Sequence, residues 1–98
     1  MLRPLFIGDR VSAAGFRLGG AMVEIPEPGT EVMVFRDALK TRDLIIIAAE
    51  VAARLPEALL TTAQSAGAPL VLIIPDVRGL HEPEDIAASL RRQLGMAE

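Results

Sequence analysis

Leu44-Ile45-Ile46-Ile47, four branched or bulky apolar residues in a row, sets the narrowest limit on what this chain can become. Successive side chains of a strand point to opposite faces, so an unbroken apolar run must be covered on both. Parallel sheets flanked by helices bury their strands in that way. Two further stretches match it, Pro4-Leu5-Phe6-Ile7 and Leu70-Val71-Leu72-Ile73-Ile74. A chain that alternates such runs with helical patterns makes a doubly wound α/β domain.

Taken in order, the pattern predicts a strand over 2–7 that ends in the turn Gly8-Asp9. A helix follows over 11–18, capped by Asp9 or Ser12, with Val11, Ala14/Gly15 and Leu18 as its inward stripe. Phe16 then lies about 140° from Val11 and faces away from the core. Residues 21–25 form a short strand that carries Glu24 and suits a sheet edge. After the loop Pro26-Glu27-Pro28-Gly29, Thr30 is placed to cap a helix that runs to Lys40 with Val32, Phe35 and Leu39 inward.

The central strand hands over to a helix over 50–66, phased by Val51, Leu55, Leu59 and Thr62. Pro56 makes that helix either kinked or split in two. The strand over 70–74 is followed by the loop 75–81 and a last helix with Ile86, Leu90 and Leu94 as its apolar stripe. The expected fold is a single domain over 1–98: a small four-stranded parallel sheet of order 2-1-3-4, receiver-like or Rossmann-like, with helices on both faces.

Composition narrows the chemistry. The 98 residues include no Cys, Trp or Tyr and one His, with a net charge of -3. Disulfide and thiolate chemistry are excluded, a cytosolic setting fits, and nucleic acid is disfavoured by the lack of Trp and Tyr for stacking on bases and of a basic patch. The longest apolar run is far short of the ~20 residues a membrane helix needs, so no direct membrane insertion is expected.

The default ligand site of such a sheet lies at the carboxyl ends of its strands, here Gly8-Asp9, Ala49-Glu50 and the loop from Pro75. Asp9 and Glu50 can share that edge, but both also stand where helices begin, which is where acids ordinarily collect. Gly15, Gly19 and Gly20 lie within and after a helix, not at the strand-to-helix turn where a phosphate cradle needs them. Lys40 is the only lysine, and no P-loop surrounds it. Phosphorylation of receiver type is also disfavoured, because Asp43 begins the central strand and Ala48-Ala49 occupies the acceptor end. His81 has no second His or Cys for a metal, and no catalytic, cofactor or metal site is expected.

Phe6-Ile7-Gly8-Asp9 followed by Gly15-Phe16-Arg17-Leu18-Gly19-Gly20 resembles the F subunit of the V/A-type rotary ATPases. Asp43 to Ile47 with Glu50 beyond, Pro69 to Pro75, and Leu90-Arg91-Arg92-Gln93-Leu94-Gly95 extend the resemblance over nearly the whole length. Two departures are a less charged second helix and the absence of a Thr near Ala48-Ala49. The resemblance implies a noncatalytic central-stalk component of an ion-translocating complex, cytoplasmic and peripheral to the membrane. It implies as partners the coiled-coil shaft, which is the D subunit of such complexes, and the A/B ring. An interface of ~1,200 Å² or more would be required, with apolar anchors.

Candidate anchors are Phe16, Met22, Val23 and Ile25, then Pro75 and Leu80, then Ile86, Leu90, Arg91 and Leu94. In isolation the chain could also pair weakly with a second copy through its edge strand. The competing expectation is a stand-alone, degenerate receiver-like interaction module.

Overall fold

The structure is a computed structural model and describes residues 4–75. Its elements are β1 (Leu5–Ile7), α1 (Arg10–Leu18), β2 (Met22–Glu24), α2 (Glu31–Thr41), β3 (Leu44–Ala48), α3 (Ala49–Ala52), α4 (Glu57–Ala66) and β4 (Leu70–Ile74). The four strands form one sheet of order β2-β1-β3-β4, parallel throughout. The apolar run that suggested a central strand is one: Leu5, Phe6 and Ile7 face Ile45, Ile46 and Ile47 in register, and Leu44 to Ala48 face Leu70 to Ile74 on the other side.

Alternation along these strands divides the interior into two clusters. Leu5, Ile7, Ile45, Ile47 and Val71 point to one face, where Phe35 and Ala38 of α2, Val51 and Ala52 of α3, Leu55 of the following turn and Ala63 of α4 close over them. Phe6, Ala48 and Ile74 point to the other face, where Ala13 of α1 joins them, with Phe16, Val23 and Ile46 packed around. The expected helix over 50–66 is two helices. Residues 53–55 turn between them and Pro56 precedes α4, because proline lacks the N–H that a continuous helix would need. On α4 the buried position is Ala63, while Thr62 is exposed. The helix ends at Gly67, whose φ of 78° is a left-handed conformation that glycine adopts without strain.

Helix α1 corrects the sequence expectation most sharply. Its buried residues are Ser12 and Ala13, not the stripe of Val11, Ala14/Gly15 and Leu18. Val11 is 66% exposed and Leu18 91% exposed. Phe16 instead turns inward and lies on Phe6, with ring centroids 4.3 Å apart and planes 10° from parallel. The rotation follows from what lies beneath. The Phe6 ring reaches over the end of its own strand, so that a Cβ on Gly8 would stand 2.7 Å from Cε2 of that ring and 3.0 Å from the Ala48 Cβ. A flat ring covers another, and Ser12 and Ala13 are the residues of α1 buried beside the stack.

Caps differ in detail too. Asp9 caps α1, its carboxylate accepting from the Ser12 N–H at 3.0 Å. Thr30 does not cap α2 with its side chain. Its hydroxyl donates to the Glu27 carbonyl at 2.7 Å, and the Glu31 carboxylate accepts from the Gly29 N–H at 3.0 Å.

Candidate functional site

Two places could carry function. The first is the crevice at the carboxyl ends of β1 and β3, a space of about 190 Å³ lined by Gly8, Asp9, Ile25, Pro26, Glu50, Val51 and Arg54. The expected meeting of Asp9 and Glu50 on one edge therefore occurs. Asp9 caps α1, and Glu50 stands in the first turn of α3, where a negative charge meets the helix dipole.

Beside them, Arg54 Nη1 lies 3.3 Å from Glu31 Oε2 and joins the start of α2 to the turn after α3. Glu31 is nearly buried, and its carboxyl is held below the ordinary glutamate value. The largest cause is a hydrogen bond from its own backbone N–H. Burial acts in the opposite sense, and the Gly29 N–H and the Arg54 guanidinium add to the lowering. Arg54, which lines the crevice with Asp9 and Glu50, is thus engaged by Glu31, a carboxylate beside the crevice that ties α2 to the turn after α3. Among the described residues, no group of three or more His, Cys, Asp and Glu side chains is arranged to hold a metal ion.

The second place is a groove of about 390 Å³ along α1, lined by Pro4, Val11, Ser12, Gly15, Phe16, Gly19 and Ala21. Its walls are chiefly hydrocarbon, and it adjoins strand β2 through Ala21. Of the expected anchors, Phe16 is half-buried and lines this groove, Val23 is half-buried on the same cluster, and Met22 and Ile25 are exposed at the sheet edge. Pro75 is half-buried just beyond β4. Leu80, Ile86, Leu90, Arg91 and Leu94 lie outside the described residues, as does His81.

Sequence reasoning missed Pro4, Val11, Ser12, Gly15 and Ala21 as parts of one surface. The signal was available in the spacing of Val11, Gly15 and Gly19, each four residues from the next and therefore on one line along a helix. Among the described residues, no helix is long and apolar enough to cross a membrane.

An archaeal relative, the F subunit of the A-type ATP synthase of Methanothermobacter thermautotrophicus, is 33% identical over 84 residues, covering 80% of this chain and 76% of its own length. No solved structure matches the chain significantly. The family described as ATP synthase (F/14-kDa) subunit matches residues 5–93, which takes in every strand and helix of the described residues. The chain belongs to that ATP synthase (F/14-kDa) subunit family.

Proposed function

We propose that this chain is a noncatalytic rotor component, the F subunit, in the central stalk of a V/A-type, ion-translocating ATP synthase. In this reading it grips the coiled-coil shaft (the D subunit) within or below the A/B ring and helps couple ATP turnover to ion movement. It would be peripheral to the membrane, on the cytoplasmic side.

The observation that carries the reading is the family match across the whole sheet. The way the carboxyl-end acids are used supports it. Asp9 is committed to a helix cap and Glu31 to an ion pair, so work by this domain falls to its surface. The exposed apolar residues at the β2 edge, Met22 and Ile25, with half-buried Val23 and Phe16, form the described part of the proposed interface.

Affinity capture of the full-length chain from its own cells tests this. The shaft protein and the A and B subunits are expected to copurify, and the isolated chain is expected to show no ATP hydrolysis. Failure to retain the shaft protein at low salt, or nucleotide turnover by the chain alone, would overturn the reading.

A further inference from the structure

We draw no further inference here: the strongest candidate, the apolar groove along α1 between Pro4 and Ala21, is an open surface, and nothing in the structure shows what covers it.

Discussion

The two faces of the sheet are built from the same strands and finished differently. On one, α2, α3 and α4 enclose a cluster whose centre is Phe35, Ile45 and Ile47, all with no solvent exposure. On the other, the described cover is α1, a nine-residue helix that turns one aromatic inward and two aliphatic residues out. The contrast separates two uses of hydrophobic surface. The sealed face supplies cohesion, while the face under α1 keeps apolar groups where another molecule can reach them.

The sharpest way to break that contrast is to compare one large side chain from each face. Phe35→Ala empties a fully enclosed site and should cost about 3–5 kcal/mol, read as a shift of the urea midpoint. Phe16→Ala removes a half-buried ring and its stack on Phe6, and should cost about 2 kcal/mol while reducing shaft capture in a way that Phe35→Ala, assayed where it is still folded, does not. Equal costs from the two changes would mean that the faces do not differ in the sense argued.

Smaller effects sharpen the picture at helix ends. Asp9→Ala removes the cap that anchors α1 over its face and should lower stability by ~1 kcal/mol, with Asp9→Asn recovering most of it.

The smallest effect belongs to Glu31 on the sealed side. Its carboxyl is lowered in the folded chain, so its hydrogen bonds and its pairing with Arg54 contribute in full above the ordinary glutamate value. That contribution is lost as the pH falls through the lower, folded value. Parent and Arg54→Ala chains should differ in thermal midpoint at pH 7 and converge in acid. A gap that widens toward low pH would reverse the assignment.

The architecture was legible because its signal is redundant. Three apolar runs, each bounded by polar residues, glycine or proline, leave few ways to arrange a sheet, and the order β2-β1-β3-β4 followed from them. The phase of α1 was not legible. A periodicity rule weighs Val11 and Leu18 by hydrophobicity and cannot see that Phe6 extends its ring over Gly8. Once that ring is in place, only the rotation that stacks Phe16 on it fills the interior. The Thr30 cap failed because its hydroxyl bonds back to the Glu27 carbonyl and makes no bond to the first amides of α2. The groove along α1 stayed hidden because glycines were weighed against phosphate loops, and not as places where bulk is missing.

The stack of Phe16 on Phe6 has a mechanical corollary. It fastens the outer helix to one of the two strands that are hydrogen-bonded on both sides, β1, whose ladders reach β2 and β3. A sideways load on α1 is therefore handed to the stiffest part of the domain and shared among three strands before any loop need bend. On the proposed rotor reading such a mounting matters, since slack between a gripping surface and the body behind it would be motion lost at every step.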